Sequence, residues 1–302
     1  MSTKSTNHYN GLLNINKSAG MTSHDVVNRV RRILGQRRVG HAGTLDPAAT
    51  GILLVCAGQA TRLLEYLVPG VKTYQGIILL GRSTDTYDSD GETTSEADTE
   101  HLDRELVETA METFRGDIEQ IPPAYSAVKR NGIPAYKLAR KGEDVDLPAR
   151  PVRIDSFELL GWSRPKLTFR IICQSGTYVR SIAHDLGAAL GVGGHLESLC
   201  RTASGSWKVE DALGLEELEV AAQEERLESV IHPFSDVLAD MPRVTVGGNE
   251  AAQLGCGRAL ILEIEGQPDT VCARTEAGKL IAILVPDGGG RWKPRKVFPT
   301  AD

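Results

Sequence analysis

The feature that most constrains the fold is a change in the pattern of apolar residues near residue 240. Before that point, strand-like apolar segments alternate with segments whose apolar residues recur at helical spacing. After "DMPRVTV", short apolar runs are separated by Gly, Pro and acidic residues, a pattern typical of a small β-barrel or sandwich. Because 302 residues also exceed the usual size of one core, we predict an α+β or α/β domain over 10–239 and a smaller β-rich domain over 240–302.

The segments before residue 240 can be assigned individually. The polar residues 1–9 are predicted to form a disordered tail. The first helix follows "SAGMTS", with Ser23 as its N-cap and Gly35 at its end. The remaining predicted elements are strands over 11–17, 73–81 and 167–174 and helices near 102–114 and 177–191.

Composition excludes several classes of protein. The apolar stretch "ILLVCA" is too short to span a bilayer, and the polar first ten residues lack the apolar stretch of a secretory signal. We therefore expect a cytoplasmic protein. The five cysteines are odd in number, widely spaced and free of any C-x-x-C pair, so we expect buried free thiols and neither zinc nor disulfides.

The distribution of charge is more informative than the net charge of −6. Acidic residues are concentrated in 85–119 and 210–228, and the rest of the chain has an excess of basic residues. The charges of separate regions are screened from each other over a Debye length of about 8 Å, so a basic face is compatible with an acidic protein. A nucleic acid therefore remains a possible partner.

Two basic regions are candidates for such a face. Arg29, Arg31 and Arg32 lie on one side of the first helix, and Arg37 and Arg38 extend their charge, which favours an anion-facing surface over a solvated helix face. The segment 124–153 interleaves Lys and Arg with aromatic residues. That composition suits a phosphate backbone with exposed bases, and it suits a surface hairpin with a short helix equally well.

The glycine-rich stretch "RRVGHAGTLDPAATG", residues 37–51, contains a single carboxylate, Asp46. It is not a P-loop, because no Lys-Ser/Thr follows Gly51, and the acidic loop near Gly91 lacks the final glutamate of a calcium loop. Asp46 can be a nucleophile or base if a cation keeps it ionised. It can also cap a helix beginning at Pro47, and the residues alone leave both interpretations open.

Six blocks of the sequence, in order along the chain, form a recognisable set. They are "GLLNINKSAGMTSHDVV", "RRVGHAGTLDPAATGILLVC", "KTYQGIILLGRSTDTYDSDG", "FRGDIEQIPPAYSAVK", "SGTYVRSIAHDLG" and "HLESLCRT". These blocks resemble the motifs of the TruB family of tRNA pseudouridine-55 synthases. The resemblance extends from about residue 10 to residue 205, and "GTLDP" matches the catalytic-aspartate motif of that family.

The resemblance implies both fold and reaction. It implies a pseudouridine-synthase fold, that is, a mixed, mostly antiparallel sheet with flanking helices and a central cleft, followed by a small RNA-binding domain similar to PUA domains. It implies that uridine in the T-loop of tRNA is detached from its ribose, rotated and rejoined through carbon, without metal or cofactor. Asp46 would be the catalytic carboxylate, acting as nucleophile or as base.

The same resemblance implies roles for other side chains. Arg180 would pair with Asp46, and Asp88 would orient Arg180 from behind. Because flipping a nucleotide sacrifices its stacking, other surfaces must replace that stacking. Binding roles are implied for His41, which would occupy the space left by the base, Tyr74, which would stack on the flipped base, Tyr178, which would pack under the site, and the apolar Leu199. Cys200 stands where the family often has an arginine.

The resemblance also implies how the substrate is held. The segment 124–153 corresponds to a thumb insertion that closes over the T-loop, and its expected phosphate contacts are Lys129, Arg130, Lys137, Arg140 and Lys141. In the C-terminal domain, Arg291, Lys293, Arg295 and Lys296 would meet the acceptor end of tRNA or form an exposed basic edge. We expect a monomer that binds the T-arm and needs no protein partner. The alternatives are a guide-RNA-dependent synthase and a tRNA-folding factor without turnover.

Overall fold

The computed structural model describes residues 9–130, 132–233, 236–238, 241–266 and 268–298. Of the predicted tail, residues 1–8 lie outside the described residues, and so do positions 239 and 240 at the predicted domain boundary. The helices of eight or more residues are α1 (Ser23–Leu34), α3 (Arg104–Glu112), α5 (Val179–Ala189), α6 (Leu215–Gln223) and α8 (Gly248–Gly255); the shorter ones are α2 (Leu64–Leu67), α4 (Ala135–Ala139) and α7 (Leu227–Val230).

The strands occur along the whole described chain. In order they are β1 (Gly11–Lys17), β2 (Val39–Ala42), β3 (Thr50–Ala57), β4 (Val71–Leu80), β5 (Arg82–Thr84), β6 (Thr93–Glu96), β7 (Gly116–Gln120), β8 (Lys129–Arg130), β9 (Ile133–Pro134), β10 (Arg150–Ser163), β11 (Lys166–Gln174), β12 (Gly194–Ser204), β13 (Trp207–Lys208), β14 (His232–Pro233), β15 (Arg243–Val246), β16 (Leu260–Ile261), β17 (Val271–Thr275), β18 (Leu280–Pro286) and β19 (Arg291–Val297).

Most strands before residue 240 form one large sheet. Its order is β14-β1-β3-β12-β4-β11-β10-β7, with β2 paired to β3 and β13 paired to β12. These pairings are antiparallel except for β3 with β12, which is parallel. A second sheet, ordered β15-β17-β18-β19-β16, is built from the residues after 240. The predicted mixed, mostly antiparallel sheet with a separate β-rich unit is therefore confirmed.

The predicted elements match the structure with one local correction. The segments predicted as strands 11–17, 73–81 and 167–174 correspond to β1, β4 and β11, and Gly35 ends α1 in the left-handed conformation, with φ 63°. The N-cap of α1, however, is Thr22 and not Ser23. The Thr22 side chain accepts a hydrogen bond from the Asp25 N–H, whereas the Ser23 hydroxyl points inward to Leu45.

Apolar cores lie on both faces of the large sheet. Helices α3 and α5 cover β4, β10 and β11, and helices α1, α6 and α7 cover β1 and β3. A third core joins the other face of β1 and β3 to the second sheet. All five cysteines are free; Cys56, Cys173 and Cys272 are buried, as expected, whereas Cys256 is exposed. Burial raises the pKa of the Cys56 thiol to about 12.

The basic helix face predicted on α1 is mostly occupied within the protein. Arg29 forms a bidentate pair with Glu219 of α6, with N–O distances of 2.9 and 3.0 Å. Arg31 donates to the Val39 carbonyl oxygen at 2.9 Å. These contacts join α1 to its neighbours. Because Glu219 neutralises Arg29, the interpretation of this face as a surface for anions is wrong for Arg29.

The segment 124–153 contains a small hairpin, β8 with β9, followed by α4. The guanidinium of Arg140 lies 5.7 Å from the centre of the Tyr136 ring. Residues 150–153 are the first part of β10 and pair with β7, so they belong to the large sheet. The insertion therefore ends before Arg150. In the described part of the chain, no helix is long and apolar enough to cross a membrane.

Candidate active site

Asp46 lies in the loop between β2 and β3. Residues 46–49 form a turn, in which the Ala49 N–H donates to the Asp46 carbonyl oxygen at 3.1 Å, and β3 begins at Thr50. Since no helix occurs in these described residues, the interpretation of Asp46 as a helix cap is wrong. The Asp46 side chain retains 41% of its surface exposed, so its carboxylate is accessible to a substrate.

Three side chains from three elements hold the backbone of this loop. The Ser23 hydroxyl of α1 donates to the Leu45 carbonyl oxygen at 3.0 Å and accepts from the Leu45 N–H at 2.9 Å. Lys17, at the end of β1, donates to the Pro47 carbonyl oxygen at 3.0 Å. Arg201 of β12 donates to the Gly43 carbonyl oxygen at 3.0 Å. The position of Asp46 is therefore set from several directions.

Gly51 allows the loop and β12 to meet. It has a φ of 94°, and a Cβ atom there would lie 2.3 Å from the Arg201 carbonyl oxygen. Gly51 is paired with Arg201 in the parallel ladder of β3 and β12. The Arg201 side chain, which is 2% exposed, also donates from Nε to the Ile52 carbonyl oxygen at 2.7 Å. Only glycine combines this conformation with this close approach.

The guanidinium of Arg180 is the centre of the site. Arg180 is the second residue of α5, and its side chain is 7% exposed. Its Nη2 donates to Asp46 Oδ1 at 3.2 Å and to the Tyr125 carbonyl oxygen at 3.0 Å, and its Nη1 donates to the Thr86 carbonyl oxygen at 3.0 Å. These acceptors determine the orientation of the guanidinium plane.

Two further contacts of Arg180 are ion pairs. Nε lies 2.9 Å from Asp46 Oδ2, and Nη1 lies 3.2 Å from Asp88 Oδ2. The Nε–H is poorly aligned for a hydrogen bond, so this contact is electrostatic rather than directional. Arg180 therefore contacts both oxygens of Asp46 and connects Asp46 to Asp88, whose side chain is 14% exposed. An arginine suits this position because it stays charged when buried and matches a carboxylate bidentately.

The protonation of Asp46 depends on opposing effects. Burial raises the pKa of Asp46, Arg180 opposes that rise, the nearby Asp88 carboxylate adds to it, and Lys17 also opposes it. The pKa of Asp46 is raised overall, because burial outweighs the cations, and the cations limit this rise and so favour the ionised form. An ionised, oriented and accessible carboxylate is the group that a nucleophile or a general base requires.

Comparisons with known proteins identify the family of this chain. Family models described as "TruB family pseudouridylate synthase (N terminal domain)", "tRNA pseudouridylate synthase B C-terminal domain" and "tRNA Pseudouridine synthase II, C terminal" match residues 31–179, 180–239 and 241–299. A tRNA pseudouridine synthase B of Dehalococcoides mccartyi is 44% identical, with 96% of each chain covered. That of Streptococcus pneumoniae is 41% identical over 96% of this chain and 99% of the relative. The chain belongs to the TruB family of pseudouridylate synthases.

Solved structures resemble this TruB-family chain along most of its length. A chain from a structure of an H/ACA RNP bound to a substrate RNA containing 2'-deoxyuridine has a TM-score of 0.75 and 25% identity, covering 97% of this chain and 86% of its own. A chain from a Cbf5-Nop10-Gar1 complex has a TM-score of 0.73 and 29% identity, covering 91% and 78%. The pseudouridine-synthase fold expected from the sequence is thus present in this TruB-family chain.

The remaining predicted site residues of this TruB-family chain lie on β2, β4 and β12 and at the start of α5. His41 lies on β2 and Tyr74 on β4, where Tyr74 is paired with Arg201 of β12. Burial lowers the pKa of His41, and Arg201 adds to that effect. Burial raises the pKa of Tyr74. Leu199 is half-buried on β12, two residues before Arg201.

Tyr178 is positioned by a residue that the sequence did not reveal. It precedes Arg180 at the start of α5, and Gln120 binds its backbone on both sides. The Gln120 amide donates to the Tyr178 carbonyl oxygen at 3.1 Å and accepts from the Tyr178 N–H at 2.8 Å. The Arg150 guanidinium lies 5.3 Å from the centre of the Tyr178 ring. Tyr178 is therefore fixed at the edge of the Asp46 site.

The predicted phosphate contacts are exposed residues of the segment 124–153. Lys129 and Arg130 are exposed on the β8–β9 hairpin, and Arg130 donates to the Asp144 carbonyl oxygen at 3.3 Å. Tyr125, whose carbonyl oxygen binds Arg180, precedes this hairpin in the chain. The insertion is thus connected to the Asp46 site by the hydrogen bond from Arg180 to the Tyr125 carbonyl oxygen.

The basic residues of the last strand are largely paired within the protein. Lys293 binds Asp287 at 2.7 Å, and both Arg295 and Lys296 pair with Glu65 of α2. The last two contacts connect the second sheet to α2. Among the described residues, no group of three or more His, Cys, Asp or Glu side chains is arranged to hold a metal ion.

Proposed function

We propose that this protein is a tRNA pseudouridine-55 synthase, which isomerises uridine in the T-loop of tRNA. The observation that carries the proposal is the accessible Asp46 carboxylate contacted through both oxygens by Arg180. The names of the curated relatives, which match nearly the whole chain, support tRNA as the substrate.

In this proposal, the target nucleotide leaves the T-loop before it reacts. His41 fills the vacated position, and the flipped base stacks on Tyr74, with Tyr178 and Leu199 completing the walls. Extruding a nucleotide costs a few kcal/mol of stacking and pairing, so contacts of this kind are required on both the base and the loop. The half-buried positions of these side chains around the Asp46 loop support the assignment.

Asp46 carries the chemistry as nucleophile or as base. Either role requires a carboxylate that is ionised at neutral pH, and Arg180 supplies the positive charge for this. Asp88 contacts Arg180 on its other side and so limits rotation of the guanidinium. The isomerisation rearranges bonds within one nucleotide, so the proposal includes no metal or cofactor.

The rest of the tRNA is held by positive charge. We assign Lys129, Arg130, Lys137, Arg140 and Lys141 to the phosphates of the T-arm, and the domain 240–302 to a PUA-like role in RNA binding. Phosphate contacts supply affinity and register, whereas specificity comes from the shape and extruded bases of the loop. In this proposal the protein acts as a monomer in the cytoplasm and needs no partner protein or guide RNA.

Turnover by the purified protein tests the proposal. The protein is incubated alone with unmodified tRNA transcript, and pseudouridine is mapped by chemical probing. We expect modification at position 55, its loss in Asp46→Asn, and its retention in Asp211→Asn, a matched change at an exposed aspartate. If the protein requires a guide RNA, or if Asp46→Asn remains active, the proposal is refuted.

A tRNA-folding role without turnover is a separable function of the same surface. Asp46→Asn removes one carboxylate charge and preserves the size of the side chain, so it is expected to bind tRNA nearly as well as the unaltered protein. The Asp46→Asn variant is added to a destabilised tRNA, and the tertiary folding of that tRNA is followed by structure probing. This experiment measures the folding role in the absence of isomerisation.

A further inference from the structure

The turn that carries Asp88 contains an unusual backbone conformation. Tyr87 has a φ of 64°, and among the described residues only Tyr87 and Glu225 have positive φ without being glycine. The left-handed region is unfavourable for residues with a Cβ atom, and such outliers persist only where the surrounding structure holds them. Tyr87 thus marks a position where the fold maintains a strained turn.

This conformation has a direct consequence for Arg180. The residues on either side of Tyr87 both contact Arg180 Nη1: the Thr86 carbonyl oxygen at 3.0 Å and Asp88 Oδ2 at 3.2 Å. The left-handed residue between them turns the chain so that a backbone oxygen and a side-chain oxygen, two residues apart, converge on one nitrogen. A change in the conformation of residue 87 would separate these two acceptors.

The ring of Tyr87 is held by His184 of α5. The two rings are stacked, with centroids 3.9 Å apart and planes at 14°. His184 lies one helical turn after Arg180, so both side chains are on the same face of α5. Burial lowers the pKa of His184, although Asp185 opposes this, and the buried Nδ1 has no hydrogen-bond partner among the described residues. Hydrogen bonding therefore does not explain the position of His184, whereas stacking does.

The other side of the turn is fixed by hydrogen bonds to its backbone carbonyl oxygens. The Leu196 N–H of β12 donates to the Tyr87 carbonyl oxygen at 3.0 Å, and the Thr84 hydroxyl donates to the Asp88 carbonyl oxygen at 2.7 Å. In addition to the contacts of Arg180 itself, the stack joins this turn to α5, the helix that bears Arg180. The stack therefore links the position of the two acceptors, the Thr86 carbonyl oxygen and Asp88 Oδ2, to the position of the Arg180 guanidinium.

We propose that the stacked rings of Tyr87 and His184 form a positioning pair that maintains the left-handed turn and thereby fixes Arg180 against Asp46. This inference rests on the proposed function, because its effect is read in the isomerisation of tRNA. Neither residue needs to touch the substrate. Their contribution lies in the rate of the chemical step and not in the affinity for RNA.

Four single variants distinguish the effect of the stacked rings on the reaction rate from the effect of the backbone conformation of residue 87. We expect His184→Ala and Tyr87→Ala to lower the single-turnover rate about tenfold, with the Kd for tRNA changed less than about twofold. Tyr87→Phe keeps the ring and should retain the rate, whereas Tyr87→Gly accepts the turn without the ring and should be intermediate. His232→Ala is the matched control, because His232 makes an edge-to-face contact with Trp207 on other elements.

A double-mutant cycle with Arg180→Lys tests whether the pair acts through Arg180. In that background, His184→Ala should have little further effect, because the geometry that it maintains is already altered. The NMR resonance of Arg180 Nε–H should also shift or broaden in His184→Ala, and this measurement needs no turnover. An unchanged rate, an equal loss in both backgrounds, or a loss of tRNA affinity parallel to the loss of rate would overturn the proposal. Failure of the unaltered protein to modify tRNA would instead refute the proposed function, and the NMR comparison would still test the pair.

Discussion

Two buried lysines provide a sharp test of how the site is stabilised. Burial lowers the pKa of both Lys17 and Lys72 from 10.5 to about 8. Lys17 nevertheless donates to three carbonyl oxygens, those of Ser18 at 3.0 Å, Met21 at 2.8 Å and Pro47 at 3.0 Å. Lys72 donates to the Leu67 carbonyl oxygen at 3.4 Å, and no ion pair with it occurs among the described residues. We predict that methionine has opposite effects at these two positions.

The magnitudes follow from the contacts. A pKa lowered from 10.5 to about 8 corresponds to a penalty of roughly 3 kcal/mol for the charged form at neutral pH, which methionine removes at either position. At Lys17, methionine leaves three carbonyl oxygens without their hydrogen-bond donor, and each unpaired oxygen costs about 1–3 kcal/mol. This cost exceeds the penalty that is removed, so Lys17→Met should lower the free energy of unfolding by about 3 kcal/mol. At Lys72, the single long bond offsets less than about 1 kcal/mol, so Lys72→Met should stabilise the fold by about 2 kcal/mol.

The assay is urea unfolding of both variants and the unaltered protein at pH 7 and near pH 10. Because the folded pKa of Lys72 lies below its unfolded pKa, the unfolded chain binds more protons between pH 8 and 10.5, and unfolding free energy rises with pH there. The advantage of Lys72→Met should therefore be complete below pH 8 and decline towards pH 10.5. The buried cysteines titrate in an overlapping range, but they are common to all three proteins and cancel in the differences.

Two results would refute this reasoning. If Lys72→Met destabilises the protein at pH 7, the buried ammonium has favourable contacts that outweigh its desolvation. If Lys17→Met is as stable as the unaltered protein, the three carbonyls are not dependent on Lys17. Activity provides a second readout, because Lys17 holds the Pro47 carbonyl next to Asp46, whereas Lys72→Met should leave the isomerisation rate largely unchanged.

Three further predictions concern the site and its substrate. Arg180→Met should lower the single-turnover rate by about 10²–10³-fold with little change in tRNA affinity, and an undiminished rate would rule out the Asp46–Arg180–Asp88 network. Binding titrations at several salt concentrations give the slope of the logarithm of the tRNA association constant against the logarithm of salt concentration. Replacing Lys129 and Arg130 by alanine should reduce the magnitude of this slope by about 0.7–0.9 for each phosphate that is no longer neutralised. An unchanged slope would mean that the phosphates bind elsewhere on the protein. Gly51→Ala should cost about 3 kcal/mol or more in thermal or urea unfolding, because a Cβ atom at φ 94° would meet the Arg201 backbone; a small change would show that the β3–β12 ladder can widen.

Sequence periodicity predicted the helices and strands well. It failed where two local structures, or two neighbouring residues, were both compatible with the sequence. Asp46 followed by Pro47 has the composition of a helix start, yet an apolar strand, Thr50–Ala57, begins four residues after Asp46 and leaves no room for a helix. Thr22 and Ser23 are both good capping residues. Only the contact of Ser23 with Leu45, 22 positions away, decides between them.

The polar framework of the site was harder to predict than its catalytic candidates. Asp46, Arg180 and Asp88 were found by the resemblance, and the structure brings them into contact. Lys17 and Arg201 were missed, although each is a basic residue in or at the end of an apolar segment, which is a usable signal. The partners of Lys17 and Arg201 are backbone carbonyl oxygens. Every residue has a carbonyl oxygen, so residue types do not show which of them a loop will leave without a backbone partner.

The loop contacts explain how the Asp46 carboxylate is held in one position. Lys17, Ser23 and Arg201 hold the backbone on both sides of Asp46, and Arg180 holds its side chain. Moving the carboxylate would therefore break charge-assisted hydrogen bonds as well as an ion pair, each worth more than a neutral hydrogen bond. Because both the backbone and the side chain of Asp46 are held, its carboxylate has a fixed orientation towards the accessible side of the site. Groups arranged in advance in this way lower the barrier of the reaction more than groups that must first move.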